Sequence, residues 1–167
     1  MTLAPRDTPA AALGWYFAHT PTGFVLHMCA SPRNLRAVRA LTAATLGEAG
    51  IDPDLHASAQ LVLSELYGNA LRAGSDYVPL VVEVGLDVDG QGVTVRLHDP
   101  VRDCLPLRSG VPLDDARAES GRGLALIDLL APGWDVARTP VGKQVRCRVG
   151  EAECEATPPA LVRPLYH

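Results

Sequence analysis

The residues best placed to do chemistry are Glu65 and Asn69, four apart in an apolar stretch and therefore one turn apart on one edge of a helix. An amide oxygen can coordinate magnesium. A carboxylate one turn away can act as general base or hold a metal-bound water. By itself such a pair is more often a solvated helix face, so it gains meaning only from what stands around it. Two further features do so. Val93, Val95 and Leu97 alternate with polar residues, and one more step of that inward series arrives at Asp99, a carboxylate aimed at the buried side. It would need donors there, and an exocyclic amino group such as that of adenine would supply one; the plainer reading is an aspartate capping the turn before Pro100. The third feature is Gly121-Arg122-Gly123 ahead of a short apolar run, where backbone N–H groups at a helix start can hold phosphate and Arg122 adds positive charge. A lone Gly-x-Gly is also a common flexible turn, and this one is neither a Walker loop nor a dinucleotide fingerprint.

These residues need elements to position them. Residues 1–21, with Pro5, Pro9 and Pro21, read as an irregular leader able to add an edge strand through Trp15 to Phe17, and Gly23 to Cys29 reads as a strand. Ser31-Pro32 predicts a side-chain-capped helix of about four turns, its stripe of Leu35, Val38, Leu41 and Leu46 ending at Gly50. Asp52-Pro53 opens a second helix, with Ala59, Val62, Leu63, Leu66 and Ala70 on one face and Gly74 as its stop. Val82 to Val88 and Val93 to Leu97 form a hairpin about the turn at Asp89 to Gly92. From Pro100 to Ser120 no periodicity survives, as in a functional lid. A short helix over Leu124 to Leu130 follows, then strands over Trp134 to Ala137 and Gln144 to Val149, and a peripheral tail from Glu151.

Composition bounds the function. One domain is expected from 167 residues, 47% of them apolar and 20% charged. A net charge of -4 with scattered arginines argues against direct nucleic-acid binding. Cys29, Cys104, Cys147 and Cys154 form neither a C-x-x-C pair nor a metal-ligand spacing, so free thiols in a reducing cytosol are expected. No stretch approaches the roughly 20 apolar residues of a membrane span. The expectation is a cytoplasmic protein with no membrane contact.

The order of the three features is more specific than any one of them. The stretch from Leu63 to Gly74 resembles the N box of the histidine-kinase-like (GHKL) ATPase superfamily, Val95 to Pro106 its first glycine box, and Glu119 to Ala131 its second. Gly133-Trp134 and Gly142-Lys143 resemble the family's last hairpin, and within the superfamily the chain looks like the actinobacterial ATP-binding proteins related to anti-sigma-factor serine kinases. The likeness runs from about Gly23 to Val149. It implies an α+β fold, a two-layer sandwich of helices on a mixed, mostly antiparallel sheet, as a domain over 22–150. It implies ATP and magnesium as cofactors, with Asn69 as the metal ligand and Glu65 as the base for a serine hydroxyl or water. Asp99 would accept from adenine, while Gly121, Arg122, Gly123 and Leu124 would bind the nucleotide and 101–120 would form the lid. The implied activity is that of a protein serine kinase acting on an anti-anti-sigma (STAS-type) partner, with a sigma factor as a further partner and a homodimer as the assembly. A non-catalytic partner-switching module on the same fold is the alternative. The chain departs from the family pattern at Val101, where glycine is frequent, and at Arg72-Ala73-Gly74, where a histidine often follows the asparagine.

Overall fold

In the computed structural model, the chain is described over residues 15–74, 77–102 and 122–150. Six strands and three helices follow in the order β1 (Tyr16–Thr20), β2 (Gly23–Ala30), α1 (Leu35–Glu48), α2 (Pro53–Ala73), β3 (Val78–Leu86), β4 (Val93–Asp99), α3 (Arg122–Leu130), β5 (Asp135–Thr139) and β6 (Gly142–Val149). The strands form one sheet in the order β1-β2-β3-β4-β6-β5. The α+β sandwich is therefore present. Where a mixed, mostly antiparallel sheet was expected, every described pairing is antiparallel. The cause lies in the connections: two helices, not one, separate the neighbouring strands β2 and β3, so the chain comes back reversed.

Alternation along the strands decides which face is covered. Phe24, Leu26 and Met28 of β2, Leu80, Val82 and Val84 of β3, Val93, Val95 and Leu97 of β4, and Val145, Cys147 and Val149 of β6 are all buried. Against them α2 sets Ala59, Val62, Leu63, Leu66, Tyr67 and Ala70. This helix is the centre of the second layer, packing on β4, on α1 and on α3. Its start is fixed by Asp52, whose Oδ1 accepts from the N–H groups of Asp54 (3.0 Å) and Leu55 (3.3 Å), with Pro53 at the first helical position. The opposite sheet face is largely polar: Glu83 and Arg96 face each other across β3 and β4 at 2.8 Å, a half-exposed pair worth about 0–1 kcal/mol.

Several elements depart from the expected pattern. Ser31 gives no side-chain cap; the chain enters α1 through a 3₁₀ turn at Pro32–Asn34, in which the Asn34 N–H already finds the Ser31 carbonyl at 3.0 Å. Strand β3 begins at Val78, ahead of the predicted start, because Pro79 pairs only with β2, and β4 first meets β3 at Val81. Val88 lies fully exposed in the turn rather than continuing the strand. The end of the presumed leader is β1, a five-residue edge strand on β2. Residues 1–14 and the tail from 151 lie outside the described residues, as do Cys104 and Cys154. Cys29 and Cys147 are free thiols. No helix among the described residues is long and apolar enough to cross a membrane.

Two buried acids tie the core to pH. Burial pushes the Cys147 thiol up to about 12, with the Asp135 charge adding to it, and burial pushes the Tyr67 phenol up to about 12 against the opposing hydrogen bond to Ser31. Both are raised, so the native state keeps its protons after the unfolded chain has lost them. Stability is then constant below the ordinary thiol value of 9.0 and falls as pH rises toward 12, the phenol contributing above 10.0. Urea midpoints measured from about pH 8 to about pH 11 should decline steadily over the upper part of that range, and Cys147→Ala should lose the lower portion of the decline.

Candidate functional site

Two of the three sequence features meet where α2 and α3 approach, and the third, Asp99, closes β4. Glu65 and Asn69 project from α2, both half-buried, and α3 begins beside them. The α2–α3 approach is closest at Gly123: a Cβ placed there would collide with Glu65 Oε2 and lie 3.0 Å from Glu65 Cδ. At Gly123 the Glu65 carboxylate occupies the space that a side chain would take. The expected Gly-x-Gly turn before a helix is corrected in one respect, since α3 already starts at Arg122 and Gly123 stands in its first turn. The first-turn N–H groups of such a helix have no intrahelical partner and suit an anion. Leu124 follows, half-buried against the core. Gly121 and residues 103–120 of the predicted lid lie outside the described residues.

This contact carries a prediction. In Gly123→Ala the new methyl meets the end of a mobile side chain rather than backbone, and alanine favours helix by up to about 1 kcal/mol. Thermal stability should therefore stay within about 1 kcal/mol of the parent, while the Glu65 carboxylate is displaced by about 1 Å, enough to lower about 100-fold any phosphoryl transfer in which it serves as base. A melting curve and a transfer assay on the same preparation check both halves.

Asn69 shows how the site is wired. Its Oδ1 accepts from Arg72 Nη2, one turn on, while its Nδ2 is buried with no hydrogen-bond partner among the described residues. A buried donor without partner is uncommon and costs about 1–3 kcal/mol. Turning the amide over would bring Oδ1 to that inward position and requires Arg72 to release it. The donor set then matches magnesium: one amide oxygen with a carboxylate a turn away, the remaining positions belonging to water and phosphate oxygens. Among the described residues no group of three or more His, Cys, Asp or Glu side chains could hold a metal, so Asn69 would hold the ion together with the nucleotide.

Asp99 is where the strand parity placed it, 2% exposed at the end of β4. Its Oδ1 accepts from the Val101 N–H at 2.8 Å and from Lys143 Nζ at 2.9 Å, and the same ammonium donates to the Val101 carbonyl at 2.6 Å. Lys143 pairs with Asp99 in the β4–β6 register and is itself 2% exposed. The residue two after the aspartate thus serves through its backbone, which a valine supplies as well as a glycine. Lys143 was not singled out from the sequence, although the signal was there: Val149, Cys147 and Val145 continue inward to Lys143 exactly as Val93, Val95 and Leu97 continue to Asp99. Close packing holds these ends together, because a Cβ on Gly142 would strike the Asp99 carbonyl and lie 2.7 Å from Pro100 Cα, at a φ of 156°. His98, beside Asp99 on the other face, bonds Thr139 at 2.7 Å and takes no part.

A helix edge carrying a carboxylate and an amide, a second helix with Gly123 in its first turn against it, and a buried aspartate at a strand end are the features that the sequence resemblance expects of a histidine-kinase-like nucleotide site. Residues 28–149 match the family model described as the histidine kinase-like ATPase domain, and the chain belongs to that family. No curated protein matches it. Membership carries ATP binding with it.

Proposed function

We propose that the protein is an ATP- and magnesium-dependent serine protein kinase of the anti-sigma regulatory type, acting in the cytoplasm on an anti-anti-sigma (STAS-type) partner and able to sequester a sigma factor. The observation that supports this reading best is the contact between Glu65 and Gly123, which sets a potential base against the turn that would hold the phosphates. In this reading Glu65 accepts the proton of the attacking serine hydroxyl. Asn69 holds the metal with the phosphates, the first turn of α3 with Gly121 and Arg122 cradles them, and Asp99 accepts from the adenine amino group. Magnesium, when bound, neutralises charge on the phosphates and aligns the transferred group. The partner assignment rests on the resemblance of the three boxes, as does the homodimer.

A second reading is favoured by one specific observation. Lys143 and Val101 already occupy Asp99 Oδ1, as a partner-switching module with weakened base recognition would have it. Calorimetric titration with ATP and with a non-hydrolysable analogue, each with and without magnesium, separates the two. The kinase reading expects magnesium-dependent binding that Asn69→Ala abolishes, followed by phosphate transfer to a STAS-type protein. Absence of binding up to about millimolar nucleotide would leave the switching module.

A further inference from the structure

Arg72 stands one turn past Asn69 on α2, where the chain departs from the family pattern, and the functional reading so far gives it no part. It is exposed, yet its guanidinium does not run out into solvent. The group lies back along the helix, Nη1 being 3.4 Å from where a Cβ on Gly68 would stand, and Nη2 donates to Asn69 Oδ1. An exposed pair at this spacing adds little to helix stability. The same arrangement leaves Asn69 Nδ2 buried without a partner among the described residues, so the bond does not serve the fold.

Its consequence lies in which atom it uses. Arginine has only donors, and an asparagine side chain has a single oxygen, the atom that a magnesium ion would need. Two courses are open to the ion. If it took the free lone pair of Oδ1 where that atom stands, a divalent cation and a guanidinium would share one oxygen at close range, a like-charge contact. If the amide turned over to bring Oδ1 to the buried end, the Arg72 bond would break and the guanidinium would face an NH₂ group, donor against donor. Either course sets Arg72 against the metal.

We infer that Arg72 guards the metal ligand: it competes with magnesium for the one oxygen of Asn69, and so sets how much magnesium the site needs before it holds nucleotide tightly. Arg72 is a positioning residue, acting through Asn69. The inference rests on the nucleotide- and magnesium-binding reading of this site.

The test is calorimetric titration of the full chain with a non-hydrolysable ATP analogue, in EDTA and in saturating magnesium, the ratio of the two dissociation constants giving the contribution of the metal. Arg72→Met keeps most of the stem and loses every donor. It should raise that ratio about ten-fold through tighter binding in magnesium, with the EDTA value within about three-fold of the parent and the melting curve little changed. Arg72→Lys keeps charge and donors and should stay near the parent ratio. Asn69→Asp is the background that separates competition from charge, because a carboxylate has a second oxygen. There Arg72→Met should move the ratio by less than about three-fold. An equal rise in both backgrounds would assign the effect to charge alone and overturn the inference. Affinity in magnesium that is unchanged or lowered in Arg72→Met overturns it as well, and leaves nucleotide binding standing. Absence of binding by the parent in either condition overturns the nucleotide reading along with it.

Discussion

Lys143→Met is expected to destabilise the fold by about 3–5 kcal/mol, the cost of leaving a buried charge without its partner. The Asp99 carboxylate is 3% exposed on its side chain, and no described cation besides Lys143 bonds it. Methionine fills the volume of the lysine stem, so little of the loss comes from a cavity. What remains is a desolvated carboxylate with only the Val101 N–H at 2.8 Å, and a Val101 carbonyl that has lost its 2.6 Å donor. For a chain of this size the melting temperature should drop by about 10 °C or more. Pairing the change with Asp99→Asn should restore most of the stability, because a neutral pair no longer strands a charge. Equal destabilisation by the single and double variants would mean that packing, not charge, is what the lysine supplies.

The second large effect concerns the base. On the proposed kinase reading, with Glu65 as its base, Glu65→Ala is expected to lower phosphoryl transfer to the protein substrate by about 10²–10⁴-fold while ATP affinity stays within about three-fold. The carboxylate makes no hydrogen bond or ion pair among the described residues, and its close neighbour is the bare backbone at Gly123, so removing it leaves nothing stranded. Stability should hardly change. Single-turnover kinetics with saturating ATP separate the chemical step from binding. A fall in affinity matching the fall in rate would place Glu65 in nucleotide binding rather than in proton transfer.

The inward carboxylate at the end of β4 was legible because period-two alternation leaves no other orientation for Asp99, and the Glu65/Asn69 edge was legible because the apolar face of α2 fixes where positions 65 and 69 lie. What escaped was what depends on a partner distant in sequence. Lys143 is 44 residues from Asp99, and only the β4–β6 register brings them together. The Ser31 cap failed for a similar reason: a local rule assigned its side chain to the helix start, whereas its carbonyl is engaged by Asn34 and by the Tyr67 hydroxyl. Gly123 read as a loop residue because glycine usually ends helices, yet here it is kept inside one so that another side chain can come close. The two helices between β2 and β3 were legible, but that these two strands are neighbours, and so pair antiparallel, was not.

The bond from the Tyr67 hydroxyl to the Ser31 carbonyl, 2.9 Å long and fully buried, reaches beyond the core it belongs to. At 3.6 residues per turn, position 67 lies diametrically opposite the midpoint between 65 and 69. The phenol is therefore an index pin on the back of α2, and it sets the rotational angle at which the front presents its carboxylate and amide. With side chains reaching about 5–6 Å from the axis, a roll of about 10° would swing both groups by about 1 Å. A tyrosine that touches neither nucleotide nor metal thus sets the aim of the two residues that would.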